Sequence, residues 1–499
     1  MSIDTPAKPT AEPMATPAAR RLLIMALSAG VVAELLLDRT LRSGEQPGLA
    51  FALAAVAAGL MVALGYLPAG RPPSGSARLG SVVLAFFGVM VSLRASTVLA
   101  VLNVLVCVGA VLLIAHAYSG PSLKRLSLSG YLHAAFGGVG SAVGGAGSFL
   151  TSDLRPSLGR FGRLVPFVRG VALAIIPLIV FTVLFASADA VFADYVGSLE
   201  TLDFGSVIAR VVWAVVIAWA SLGLMRRAIK GPGVIPPVQG APRVGVTDAA
   251  TALVLLNALF VVFVVVQFAY LFGGSDTLAA TGLTHAEYAR RGFFELVAVA
   301  VLVVVLVLSI DWLVQRGTPA RRTIDRLHAV LLLLTGVSLA SALQRMRLYT
   351  ATFGLTELRL YTTVFMLWVA SVLVWMAWTV LRNERDRFPY GSIAAGLVLL
   401  AATNLANPDG FIARTNLNHH VVSGRELDAA YLVHSLSADA VPTLVGSLDE
   451  LDQCTSTRLV ADLRDRTGTE AGWQSLTWGE LTARSALENA DLDVISEGC

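Results

Sequence analysis

Charge is scarce in this sequence. Asp, Glu, Lys and Arg together supply 14% of its 499 residues, where soluble domains carry about 25%. A chain so poor in charge and 56% hydrophobic has too little polar surface for a water-soluble globular fold. Lysine is scarcer still: Lys8, Lys124 and Lys230 stand among far more numerous arginines. With abundant Ala, Gly and Val, that bias marks a GC-rich bacterial coding sequence. The cysteines Cys107, Cys454 and Cys499 are too few for a disulfide scaffold. Only the last two are placed to pair, in an oxidising compartment. His419, His420 and His434 lack the paired spacing of a zinc site. Gly-Lys-Ser/Thr, Gly-x-Ser-x-Gly and His-Glu-x-x-His motifs are all missing. No catalytic residue, metal or cofactor is therefore expected, and an enzyme is the less favoured reading. The basic residues form no patch, which argues against nucleic acid as a partner.

What the sequence does hold is long apolar runs. A helix needs about 20 apolar residues to cross roughly 30 Å of hydrocarbon. Runs of that order fall near 22–37, 48–67, 79–93, 97–117, 165–186, 206–225, 249–272, 292–314, 327–344, 358–381 and 390–405. No alternating pattern of a membrane barrel is present. The expected fold is all-α, a polytopic integral membrane protein of about eleven spans. The run after Arg20 and Arg21 lacks a small-x-small cleavage pattern and reads as an uncleaved first span.

Basic residues set the orientation, because cytoplasmic loops retain them. Arg20 and Arg21, Arg71 and Arg78, Lys124 and Arg125, Arg226 with Arg227 and Lys230, Arg321 with Arg322, and Arg385 with Arg387 all fall in alternate connections. The intervening connections hold fewer: Arg39, Arg42, Arg94, Arg290, Arg291, Arg345, Arg347 and Arg359. The expectation is a bacterial cytoplasmic membrane protein with its N-terminus inside and its C-terminus outside.

The domain organisation follows. Residues 1–19 are Pro-, Ala- and Thr-rich and expected to be a disordered cytoplasmic N-terminus. Residues 20–117 hold four spans and 165–405 seven. Between them, 118–164 contains "SLKRLSLSGYLHAAFGGVGSAVGGAGSFL". Leu123, Leu126, Leu128, Leu132 and Phe136 predict an amphipathic helix on the inner surface, its basic residues facing anionic lipid. The acidic connection 187–205 predicts a short interfacial helix. Residues 406–499 turn polar, and Leu427, Tyr431, Val433, Leu436, Val441 and Leu444 recur at helical spacing. With "STRLVADLRD" and "WGELTARSALENA" they predict a small helical extracytoplasmic domain.

The candidate site comes from "GLTHAEYARRGFFELVAVAVLVVVLVL", residues 282–308. Thr284 and Glu287 fit a capping box, and Glu287, Arg291 and Glu295 share one helix face. Charge this close to lipid is expected to face protein or water. A related "GLTELRLY" opens at Gly354 with Glu357 and Arg359, and Arg345 and Arg347 precede it. Glu287, Arg291, Glu295, Arg345, Arg347, Glu357 and Arg359 are the expected ligand-binding residues of an outward polar mouth. "NLANPDGFIARTNLNHH" adds Asn404, Asn407, Asp409, Arg414, Asn416, His419 and His420 on that side. Glu34, Asn103, Arg210, Asn257 and Gln267, inside spans, are expected to make helix–helix contacts.

Three segments, "ASADAVFADYV", "HAEYARRGFFELVAVA" with "RLYTATFGLTELRLYTTVFMLWVA", and "NPDGFIARTNL" followed by "ELDAAYLVHSLSADAVP", resemble a bacterial integral-membrane family catalogued as domain of unknown function 4173, close to the 4153 group. The resemblance covers about residues 165–450. It implies the polytopic architecture and brings no site residue. The expected partners are membrane lipids and an unidentified protein. The expected function is binding of a lipid headgroup or small ligand at the mouth, signalled to an inner partner. The alternatives are a secondary transporter and a membrane-embedded transferase acting on envelope lipids.

Overall fold

The computed structural model describes Met14, Gly120 and residues 16–43, 45–67, 72–118, 122–154, 204–231, 244–272, 293–314, 321–382, 384–423, 427–467 and 472–489. The expected span 165–186, the interfacial helix in 187–205, the stretch 282–292 and Cys499 lie outside them. The bundle helices are α1 Thr16–Ser43, α2 Leu49–Ala63, α3 Gly75–Leu93, α4 Thr97–Ala117, α5 Leu128–Ser148, α6 Phe204–Lys230, α7 Val246–Phe272, α8 Phe293–Leu313, α9 Arg321–Phe353, α10 Glu357–Leu381 and α11 Phe388–Leu405. The tail adds α12 Pro408–Ser423, α13 Ala429–His434, α14 Val441–Val445, α15 Gln453–Thr467 and α16 Trp478–Glu488. Among the described residues there is no strand, only an isolated bridge between Val244 and Val314. Helix α1 starts at Thr16, inside the stretch expected to be disordered.

Eight described helices are long and apolar enough to cross a membrane: α3, α4 and α6 to α11. The chain is an all-α polytopic membrane protein. Helix α2 spans 15 residues, fewer than its apolar run, because Gly65 turns the chain with φ of 75°. Leu255, Leu333 and Val374 are 67%, 68% and 71% exposed. Such a surface suits hydrocarbon, where only closed backbone hydrogen bonding is demanded.

Local chemistry sets the helix ends. Ser74 accepts from the Ala77 amide at 3.1 Å and donates to Ala117 O at 2.6 Å, tying the start of α3 to the end of α4. Gly354, with φ of 77°, makes the α9–α10 turn, a conformation that costs glycine nothing. Met14, Asp153, Arg226 and Lys230 meet at one end of the bundle. The buried Asp153 carboxylate accepts from Met14 N, Arg226 Nε and Lys230 Nζ at 3.1, 2.7 and 2.6 Å. Burial pushes its pKa up, but the Lys230 and Arg226 bonds outweigh that and leave it below the usual value. The same basic end holds an ion network of Asp311, Arg321, Asp325 and Arg385, with Arg321 Nη1 also on Val314 O at 3.0 Å.

Helix α5 falls within the stretch expected to hold an amphipathic surface helix. Leu128, Leu132 and Phe136 are exposed, whereas Leu123 is buried. Gly145 lets α5 cross α6 closely, since a Cβ there would lie 2.8 Å from Gly223 Cα. Arg227 Nη1 donates to Gly137 O at 3.0 Å, and Trp219 Nε1 to Val143 O at 2.7 Å.

Most of the polar groups inside spans prove to be helix contacts. Arg210 of α6 pairs with Asp38 at 3.4 Å and Glu34 at 4.0 Å on α1. Asn103 of α4 and Asn404 of α11 exchange amide hydrogen bonds at 2.8 and 3.0 Å, both 0% exposed. Losing one member leaves the other buried and unpaired, so Asn103→Leu is expected to cost about 1–3 kcal/mol. Asn103→Leu with Asn404→Leu is expected to recover part of that. Thermal melts of the single and double variants in detergent check it. Gln267 is different, with both amide atoms unpaired.

The tail folds at the opposite end from Asp153 and Arg321. Its core joins Ile412, Leu417, Leu432, Leu436, Leu444, Leu463 and Leu487 with Leu355 of the α9–α10 turn. Of the six periodic residues, Val433, Leu436, Val441 and Leu444 are buried, and Leu427 and Tyr431 pack partly against that core. Thr477 and Glu480 form a capping box that starts α16. Leu49 N donates to Leu476 O at 3.0 Å and Gln474 Nε2 to Leu35 O at 2.9 Å, so the tail also seats on α1 and α2.

Candidate functional site

The polar junction between tail and bundle is built from helix ends. Arg94 follows α3; its Nε donates to Asn404 O at 2.6 Å and its Nη2 to Leu405 O at 3.2 Å. A guanidinium there neutralises the negative C-terminal end of α11. Asp439 does the converse for α4. Its Oδ2 accepts from Ala95 N at 2.9 Å, at a helix start that favours an anion. Arg94 Nη1 lies 3.9 Å from Asp439 Oδ1. Burial outweighs these contacts, the nearby Asp409 adds to it, and the Asp439 carboxyl is raised from 3.8 to about 6.

Asn407 positions the next acid. It precedes α12 with a left-handed φ of 49°, a strain of roughly 1 kcal/mol that Asn tolerates better than most residues. Its Oδ1 accepts from Gly410 N at 3.2 Å and its Nδ2 donates to Asp439 O at 3.1 Å. Asp409 thereby enters the first turn of α12 fully buried. Ser437 N donates to Asp409 Oδ2 at 3.2 Å, and the Ser437 hydroxyl donates to the same oxygen. The carboxyl of Glu357 on α10 lies close to Asp409.

Beside this pair lies a cavity of about 420 Å³, lined among others by Arg359, Asn416, His419, His420, Asp428 and Tyr431. Tyr431 accepts the Glu357 amide at 2.8 Å. Asn416 clamps Leu355, accepting from its N and donating to its O, both at 2.8 Å. Arg359 donates through Nη1 to Phe353 O, at 3.0 Å, and to Gly354 O, and lies 4.3 Å from the Tyr349 ring centroid.

Of the expected site residues, Glu357 and Arg359 reach this junction. Arg345 is half-buried on α9 and Arg347 exposed, and neither lines the cavity. Glu287 and Arg291 lie outside the described residues. Glu295 is exposed on the first turn of α8, not turned inward, because Leu296, Val297, Ala300 and Val303 take the packed face. Asp439, Ser437 and Arg94 were missed as site residues. Ser437-Ala-Asp439 carries a helix-start signal, but nothing local places it beside Ala95, 344 residues away. Among the described residues no three His, Cys, Asp or Glu could hold a metal.

Fold and site together define a polytopic helical membrane protein whose polar tail closes one end of its bundle. The chain belongs to the family described as domain of unknown function DUF4153, whose model matches residues 81–446. The match begins well before residue 165, where the resemblance was expected to start. It takes in Arg94, Asn103, Glu357, Asp409 and Asp439, and it ends ahead of α15 and α16. No curated protein and no solved structure matches the chain.

Proposed function

We propose that this is a bacterial cytoplasmic membrane protein that holds a small anionic group, a phosphate or carboxylate, in the cavity between tail and bundle. The arginine distribution supports an inside N-terminus and an outside tail. The observation that carries the ligand reading is the cavity itself. Its volume of about 420 Å³ suits a headgroup or small solute. Arg359, His419 and His420 converge there with the neutral donors of Asn416 and Tyr431, and Asp428 is the one acidic residue in the lining. The basic stretch 118–164 at the far end supports contact with an inner protein partner and with anionic lipid.

Native mass spectrometry of the full chain separates a lipid from a free anion as the source. A retained phospholipid adduct identifies a headgroup. A delipidated protein whose melting temperature rises with inorganic phosphate identifies a solute. Arg359→Gln and His419→Ala are each expected to weaken either signal about tenfold, the loss of one charge-assisted hydrogen bond. A chain with no adduct and no phosphate response refutes the reading.

Transfer chemistry on an envelope lipid has one observation in its favour, the neighbouring carboxyls of Glu357 and Asp409 behind Tyr431. On that reading Asp409→Asn removes general acid or base function. It changes the envelope lipid masses of a complemented deletion strain and leaves ligand retention intact.

A further inference from the structure

The buried side of α9 and the neighbouring helix α7 carry polar atoms that no hydrogen bond satisfies. Both helices rise from the basic end. Val244 N donates to Leu313 O at 3.3 Å and Arg321 Nη1 to Val314 O at 3.0 Å, so both helix starts flank the end of α8. Asn257 Nδ2 of α7 then donates across to Leu327 O of α9 at 3.1 Å. Two helices rising together at about 1.5 Å per residue bring Gln267 level with Ser338 and Ser341. His328, Thr335, Ser338 and Ser341 are all buried residues of α9.

Thr335 and Ser338 return their hydroxyls to Leu331 O and Leu334 O. The others have unmet hydrogen bonds. Both ring nitrogens of His328, Asn257 Oδ1, both amide atoms of Gln267 and the Ser341 hydroxyl have no partner. His328 is 0% exposed, and Gln267, Asn257 and Ser341 are at most 7% exposed. Buried polar groups are ordinarily satisfied, by protein or by ordered water. An ionisable group buried within a span without a partner points to function by default. Asn257 ties α7 to α9 through Leu327 O, but dry packing gives no reason for His328, Gln267 or Ser341.

We propose that the buried side of α9, with Asn257 and Gln267 of the neighbouring α7, is a hydrated proton track, with His328 as its proton-carrying group. The charged groups facing His328 are Arg321 and Asp325 of α9 and Arg385 of the turn before α11. Asp311 of α8 pairs with both arginines, and α7 contributes the neutral Asn257. This network forms the mouth at the basic end. A proton accepted at one ring nitrogen is matched by one released from the other, so the imidazole returns to its starting charge. Water between Asn257, Ser338, Ser341 and Gln267 carries it onward.

The test uses the full chain in phospholipid vesicles containing a pH-sensitive dye, with potassium and valinomycin supplying the counter-charge. Proton flux well above that of protein-free vesicles is expected. His328→Ala and Gln267→Leu are each expected to lower it about tenfold or more, and lipid-facing Leu333→Ala to leave it unchanged. Vesicles no leakier than protein-free ones, or flux unaltered by His328→Ala, would overturn the proposal. Ser341→Cys guards against a misfolded variant. In a chain lacking its native cysteines, a thiol on a hydrated track reacts with a small water-soluble thiosulfonate, and a thiol in a dry contact does not. Failure to label the folded protein also overturns the proposal. None of these readings depends on the cavity at the other end.

Discussion

Gly223→Leu is expected to abolish the folded bundle, while Gly144→Leu, on the helix that crosses it, changes nothing measurable. A Cβ on Gly223 would stand 1.9 Å from Ser141 O and 2.9 Å from Ser141 C. Both are backbone atoms and cannot swing aside as a side chain can. On the opposite flank of α6, a Cβ on Gly30 of α1 would lie 2.2 Å from Ala214 O. Helix α6 is therefore gripped between two close crossings, and relief at one strains the other. Small residues at such crossings replace the hydrophobic drive that lipid cannot supply. Overpacking commonly costs 1–3 kcal/mol, and a backbone clash of this kind is expected to exceed about 3 kcal/mol. A Cβ on Gly144 would meet nothing within 4 Å. Size-exclusion profiles and melts of both variants decide the matter. A monodisperse, wild-type-like Gly223→Leu protein would show that the crossing is not tight.

Loosening of the tail as pH rises from about 4 to about 6 is the second large expected effect. Asp439 is raised from 3.8 to about 6, chiefly by burial. Between those values the unfolded chain releases this proton while the docked tail retains it. Stability from Asp439 is thus full below pH 3.8, falls as pH climbs, and is lost above about 6. The shift corresponds to at most about 3 kcal/mol. Asp153 at the opposite end acts in the other sense, because its lowered pKa contributes above its ordinary value and fades as pH falls. A local readout is therefore needed, such as hydrogen exchange or proteolysis within residues 437–445. Asp439→Asn keeps an oxygen to accept from Ala95 N and is expected to flatten the profile. Asp439→Ala strands that amide, and is expected to free the tail at every pH, at roughly 1–3 kcal/mol. A profile unchanged by Asp439→Asn would remove Asp439 as the titrating group.

The legible part of this protein was local. The run 97–117 coincides with α4, and the run 358–381 falls one residue inside α10, because length and hydropathy within one segment suffice to mark a span. The tail helices likewise announced themselves by period, as Leu436 and Leu444 show by their burial. Glu357 and Arg359 were found because acid and arginine at the edge of a span stand out against lipid. Glu295 met the same criterion yet stands exposed, since sequence spacing does not fix which way α8 turns.

By itself, then, the sequence determined that the chain is a helical membrane protein, where its spans fall and that a helical tail follows them. These properties depend on neighbours a few residues apart. Tertiary structure alone decided that Asp439 meets Ala95 and Arg94, that Asn103 finds Asn404 across 301 residues, that Gly223 must be bare, and that His328 is sealed among helices without a partner. Burial and pairing set the chemistry of those groups, and both are fixed only when distant segments are brought into contact.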